Sequence, residues 1–145
     1  MIIVDTTVLV YAVGGDHPLK QACLDLLRLI SSGDVQATTT PEVIQELTHV
    51  RARRRDREDA ARVGRAFAAL FAPLLAVTTE DLDAGLDLFT RTRLEAFDAV
   101  LAAAALRCGC QLLVSADRAF KAIDQLPVAD PAEADFLDRV RAIRK

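Results

Sequence analysis

The sequence predicts an α/β fold: a short parallel central sheet of about four to five strands, with helices on both faces. Two observations carry this. Short apolar runs rich in β-branched residues alternate with longer segments of helical periodicity, the pattern of a parallel sheet connected by helices. The apolar runs at Met1–Val4 and Gln111–Val114 are continuous rather than alternating, as strands buried on both faces are. At 145 residues the chain suits one domain, residues 1–145, around a single core.

Taken in order, Met1–Val4 reads as a buried strand ending at Asp5, and Thr6–Val13 as a short helix capped by Asp5 or Thr6. Gly14-Gly15-Asp16 breaks it. Leu19, Cys23, Leu26, Leu27 and Ile30 form a helical stripe over 17–30, closed by Ser31-Ser32-Gly33. Val35–Thr38 is the second strand. Thr40-Pro41-Glu42 is a helix start: a hydroxyl cap, proline at the first helical position, then an acid in the first turn. That helix runs into RARRRDRED, and another follows to Phe71, stopped by Pro73. Leu74–Thr78 reads as a third strand and Thr79–Arg91 as the next helix. Leu94–Arg107 is the most apolar helix. Gln111–Val114 is the fourth strand, Pro127-Val128 a short edge strand, and Asp130-Pro131 opens a last helix to the C-terminus.

Composition narrows the function classes. Trp is absent and aromatics are 5%, so the core is aliphatic. No window has the length and apolarity of a membrane span, and the N-terminus lacks a secretory signal, so the expected location is the cytoplasm. Cys23, Cys108 and Cys110 are read as free thiols, because Cys108-Gly109-Cys110 is one residue short of a zinc knuckle and has no second pair. Net charge is −3, unevenly spread: residues 51–72 carry seven basic and three acidic residues, whereas 1–50 carry two and six. A basic segment in an acidic chain marks a local partner surface.

Four acids need explaining. Asp5 and Asp117 each follow a strand, and in an open parallel sheet the strands' carboxyl ends are where function sits. Asp98 borders an alanine-rich helix in FDAVLAAAAL, and Glu46 lies in PEVIQEL. Each alone has a plain structural reading, as a cap, a dipole partner or a solvated charge. Together, clustered carboxylates repel unless a cation neutralises them, and oxygen-only ligation suits Mg²⁺ or Mn²⁺. Such a site hydrolyses phosphodiesters. His17 and His49 lie outside these motifs, against a histidine-based mechanism.

IIVDTTVLVYA, PEVIQEL, FDAVLAAAAL and LLVSADRAF, in this order over nearly the whole chain, resemble PIN-domain ribonucleases, most closely VapC-type toxins of bacterial toxin–antitoxin pairs. The resemblance implies a PIN-like fold and an Mg²⁺- or Mn²⁺-dependent endoribonuclease that inhibits translation or growth when freed from its antitoxin. It makes Asp5, Glu46, Asp98 and Asp117 the catalytic, metal-binding acids, and Thr6 and Ser115 supporting hydroxyls. Family members often carry Asn or Ser where Thr7 stands. Glu42 is the rival to Glu46, which is preferred because it precedes Leu47 as in the family pattern. Partners implied are RNA, a VapB-like antitoxin and a second copy in a homodimer. Arg51, Arg53, Arg54 and Arg55 are candidate RNA contacts, since arginine suits phosphate; the plain reading is a solvated helix face.

Competing readings come from other classes. A haloacid-dehalogenase-type phosphotransferase needs a second Asp where Thr7 stands. A response-regulator receiver needs a lysine that Lys121 matches poorly. The alternative to an enzyme is a catalytically inactive PIN fold kept as an RNA-binding or protein-interaction module, which metal binding would discriminate.

Overall fold

The computed structural model describes residues 1–143. Four parallel strands, β1 (Ile2–Val4), β2 (Ala37–Thr38), β3 (Leu112–Val114) and β4 (Val128–Ala129), form one sheet in the order β2-β1-β3-β4. Among the described residues seven helices pack around it: α1 (Thr6–Val13), α2 (Lys20–Ser31), α3 (Pro41–Ala52), α4 (Arg57–Leu70), α5 (Thr79–Arg91), α6 (Ala96–Arg107) and α7 (Phe136–Ala142). A 3₁₀ turn, Arg118–Ala122, lies between β3 and β4.

β1 and β3 pair in register through Ile2–Leu112, Ile3–Leu113 and Val4–Val114. All three β1 residues are fully buried, which is why this strand is a pure apolar run. From β1 the chain moves outward to β2 on one side; the later strands β3 and β4 lie on the other. The switch in direction falls between β1 and β3, and an open parallel sheet leaves a crevice there at the strands' carboxyl ends.

The helix boundaries follow local chemistry. Asp5 caps α1, its side chain accepting the Thr7 amide. Thr40 caps α3 by accepting the Val43 amide, with Pro41 next in line. Thr78 and Asp81 form a reciprocal capping box at α5. α5 and α6 pack closely because Gly85 presents no side chain: a Cβ there would sit 2.7 Å from the Val100 Cα.

Two expected elements differ. Leu74–Thr78 is not a strand. Its backbone makes one sheet-like bond, Leu75 N–H to Thr39 O at 2.9 Å. The Thr38 hydroxyl meanwhile donates to the carbonyls of Phe71 and Pro73. The segment is partly exposed, and a single amide contact is not a ladder. The last helix begins at Phe136 instead of Asp130-Pro131, because Asp130 is buried in a turn, accepting the Ala132 amide at 2.9 Å while its carbonyl takes the Glu133 amide. α7 runs to Ala142; the expected reach to the C-terminus falls on 144–145, outside the described residues.

Candidate active site

Asp5 leaves the end of β1 directly into the crevice. It is 2% exposed, and three donors converge on its Oδ2: the Thr7 hydroxyl at 2.7 Å, the Ser115 hydroxyl at 2.7 Å and the Thr7 amide at 3.3 Å. These bonds favour the charged form, but burial outweighs them and pushes the carboxyl above its ordinary range.

Asp117 is held by the same small network. Its amide donates to the Ser115 hydroxyl at 2.9 Å, and its Oδ1 accepts the Ala119 amide at 2.9 Å, capping the 3₁₀ turn. Thr7 Oγ1 also accepts the Ala116 amide at 3.0 Å. Thr7 and Ser115 thus tie the loop after β1 to the loop after β3. Thr6, one residue earlier, donates to Glu46 Oε2 at 2.6 Å and fixes the α3 acid.

Asp98 enters from the first turn of α6. Partial burial is the main reason its carboxyl is pushed up to about 7, and the charges of Asp5, Glu46, Asp117 and Glu95 add to it. All four predicted acids therefore share one electrostatic neighbourhood, although each comes from a different segment. At three of them the pattern repeats among the described residues: a hydroxyl or amide anchors one carboxylate oxygen (Asp5 Oδ2, Glu46 Oε2, Asp117 Oδ1), and no side chain bonds the other.

Asp5, Glu46 and Asp98 line a cavity of about 510 Å³ whose remaining walls are largely apolar. No Lys, Arg or His among the described residues lines it. Among the described residues, no three acids, cysteines or histidines stand close enough to cage an ion as they are. The donor set nonetheless fits a hard divalent cation: the donors are all oxygen, half of the anchored carboxylates' capacity is unspent, and among the described residues no cationic side chain lines the cavity to relieve the repulsion at Asp98. The thiols do not compete, since burial pushes Cys23 up to about 12 and Cys110 up to about 11.

The arginines divide. Arg51 is committed inside the fold, with Nε on Asp59 Oδ2 at 2.5 Å and a terminal nitrogen on Val13 O at 3.1 Å. Arg53, Arg54 and Arg55 are exposed beyond the end of α3. None of the four lines the acid cavity; Arg51, Arg54 and Arg55 border a separate crevice of about 140 Å³ beside Gly14 and Gly15. Sequence reading assigned no role to Thr7, whose hydroxyl donates to Asp5 and accepts the Ala116 amide at the centre of the network. The position two residues after a strand-end acid was the available signal. Glu42 also lines the cavity; its Oε2 is shut off from solvent and has no hydrogen-bond partner among the described residues.

A parallel α/β sheet with strand-end and helix acids gathered at its switch point defines a class, and comparison with known proteins names it. The PIN domain model matches residues 2–126, and the chain belongs to the PIN domain family. Ribonuclease VapC7 of Mycobacterium tuberculosis is 53% identical over 125 residues, covering 83% of this chain and 84% of that protein. Among solved structures, Mycobacterium tuberculosis VapC20, described as a Sarcin-Ricin loop cleaving toxin, superposes with a TM-score of 0.70 at 18% identity, covering 84% of this chain and 94% of that one. VapBC2 from Rickettsia felis, bound to a promoter DNA fragment, gives 0.69 at 19% identity over 90% and 98%. These distant neighbours speak for the fold.

Proposed function

We propose that this chain is a divalent-metal-dependent endoribonuclease, acting as the toxin of a VapBC-type pair. The single observation that carries it is that Asp5, Glu46 and Asp98 line one cavity, that Asp5, Glu46 and Asp117 all act on the Asp98 carboxyl, and that among the described residues no cationic side chain lines that cavity. The similarity to a protein named a ribonuclease at 53% identity supports the same reading.

In this reading Asp5, Asp98 and Asp117 hold Mg²⁺ or Mn²⁺, and Glu46 completes the set. The ion, when bound, polarises the scissile phosphate and lowers the pKa of a water. The protein's own part is positional. Thr7 and Ser115 hold Asp5 by one oxygen, Thr6 holds Glu46 likewise, and the free oxygens of these carboxylates orient the attacking water and accept its proton. An all-acid cavity repels RNA, so the exposed Arg53, Arg54 and Arg55 supply phosphate contacts, without Arg51, which the fold already uses.

The partners in this proposal are a VapB-like antitoxin, in keeping with the toxin–antitoxin complexes among the structural neighbours, and a second copy of the chain in a homodimer. The proposed location is the cytoplasm; among the described residues no helix is long and apolar enough to cross a membrane.

The test is purified protein on total RNA with Mg²⁺ or Mn²⁺, with EDTA, and as Asp98→Asn. Discrete metal-dependent cuts that vanish in the variant are expected. A folded, antitoxin-free protein that neither cuts RNA nor binds either ion would point instead to an inactive PIN-fold binding module.

A further inference from the structure

Three basic residues stand around the turns that follow β3 and β4, and the fold uses two of them. Lys121 and Arg139 each close on Glu133 at 2.6 Å, and Arg139 also donates to the Val128 carbonyl at 2.7 Å. Arg118 is the third. It directly follows Asp117, its side chain is 80% exposed, and among the described residues its one polar partner is Asp130, Nε to Oδ2 at 3.6 Å. That is too long for a hydrogen bond, and an ion pair so exposed adds little stability. Asp130 is the opposite case. It is 3% exposed at the carboxyl end of β4, with Oδ1 fixed by the Ala132 amide at 2.9 Å. Its Oδ2 is left to Arg118 alone among the described residues.

The sheet fixes where this pair lies. β4 joins β3 through Val114–Ala129, and the Ser115 amide donates to the Ala129 carbonyl at 3.1 Å. The Ser115 hydroxyl in turn holds Asp5. Asp130 therefore stands two strand spacings from Asp5, about 10 Å along the same edge, with the Asp117 loop between them. The acid cavity is walled by α3, α5 and α6; Arg118 lies towards β4, outside it.

We propose that Arg118 binds the RNA phosphate next to the scissile one, and that Asp130 is the positioning residue that aims it. This rests on the ribonuclease reading above and names a substrate contact within it. The acids repel every phosphate that flanks the cleaved bond, so a flanking phosphate needs a fixed positive group beside them. Arg53, Arg54 and Arg55 begin about 10 Å past Glu46 along the α3 axis and serve phosphates further off. Arg118 adjoins Asp117 in the chain. A guanidinium grips phosphate with two parallel N–H bonds, and with Nε turned to Asp130 both terminal nitrogens of Arg118 are left for that grip. Asp130, buried and anionic, holds the guanidinium from behind, loosely enough for it to close on the substrate.

The test uses a short RNA that the wild type cuts at one mapped bond, and copies of it in which a neutral methylphosphonate replaces one phosphate at a time on either side of that bond. One replacement, next to the cut, should raise the wild-type KM by roughly ten-fold and leave kcat within about two-fold, as for a contact made equally before and in the transition state. Arg118→Ala should raise KM on the unmodified RNA by a similar factor, ignore that one replacement, and respond to the others as the wild type does. Asp130→Asn should reproduce part of the loss, and adding it to Arg118→Ala should cost nothing further. An Arg118→Ala variant with unchanged KM, alongside intact metal-dependent cleavage, overturns the contact and leaves the nuclease standing. A variant whose response to every methylphosphonate falls equally also overturns it, since that reports the general field of a positive charge. A loss at Asp130→Asn that is equal with and without Arg118 overturns the aiming role, because a purely structural residue costs the same in both backgrounds. The Arg118 arm decides the phosphate contact whether or not Asp130→Asn folds. Wild-type protein that cuts no RNA removes the nuclease reading and this inference with it.

Discussion

Replacing Asp98 by Asn removes a charge that the metal-free site carries at a cost. Its carboxyl is lifted from 3.8 to about 7, first by burial and then by the neighbouring acids. Taken whole, that difference is a ceiling of roughly 4 kcal/mol. Asp98 is only partly buried, and solvent screening reduces the effect to on the order of 1–2 kcal/mol. The folded state holds this proton more tightly than the unfolded one. Its stabilising contribution is therefore complete below about pH 3.8 and lost as pH rises through about 7. Asp98→Asn should thus stabilise the protein most at pH 8, by a Tm gain of roughly 3–6 °C, with the gain shrinking towards pH 5. Urea and thermal melts in EDTA at the two pH values measure it. Added Mn²⁺ should then stabilise the wild type more than the variant, reversing part of the difference. A variant in EDTA at pH 8 that is no more stable than the wild type would refute the claim that Asp98 sits among uncompensated acids.

Thr7→Val deprives Asp5 of a hydroxyl and leaves the Ala116 amide without its acceptor. About 1–3 kcal/mol of stability should go, with faster hydrogen exchange at Ala116, and Thr7→Ser should restore most of both. Arg107 donates twice to Asp81, which is 2% exposed; Arg107→Ala removes those donors and should lower the urea midpoint at pH 7, by an amount that the exposure of the guanidinium keeps small. Because the Arg107 hydrogen bond holds Asp81 below its ordinary range, the cost should diminish as pH falls below about 4. Gly85→Ala drives a Cβ into the α6 backbone at Val100 and should cost about 1–3 kcal/mol. An Arg53→Ala, Arg54→Ala, Arg55→Ala triple variant should bind RNA with a shallower dependence on salt; an unchanged slope removes these arginines from the interface.

What the sequence made legible was local chemistry. The caps at Asp5 and Thr40, the proline at Pro41 and the apolar runs of β1 and β3 each announce themselves within a few residues, and the structure has them where expected. Four acids at the functional edge followed from strand ends and motif order. The failures lie where a distant residue decides. Leu74–Thr78 has strand-like composition, yet whether it pairs depends on what the Thr38 hydroxyl does with the carbonyls of Phe71 and Pro73. Arg51 looks like its basic neighbours in sequence and is set apart by Asp59 and the Val13 carbonyl. Thr7 has its role because β3 lies beside β1, an adjacency that joins residues more than a hundred positions apart in sequence.

That adjacency governs how the site is made and lost. Its acids arrive on β1, α3, α6 and the turn after β3, and the Thr7–Ser115 junction closes only when the early and late segments of the chain have both docked. No fragment or half-folded intermediate holds the full set. Catalytic competence and cooperative folding should therefore rise and fall at the same denaturant concentration, so that the chain passes from inert to active in a single step.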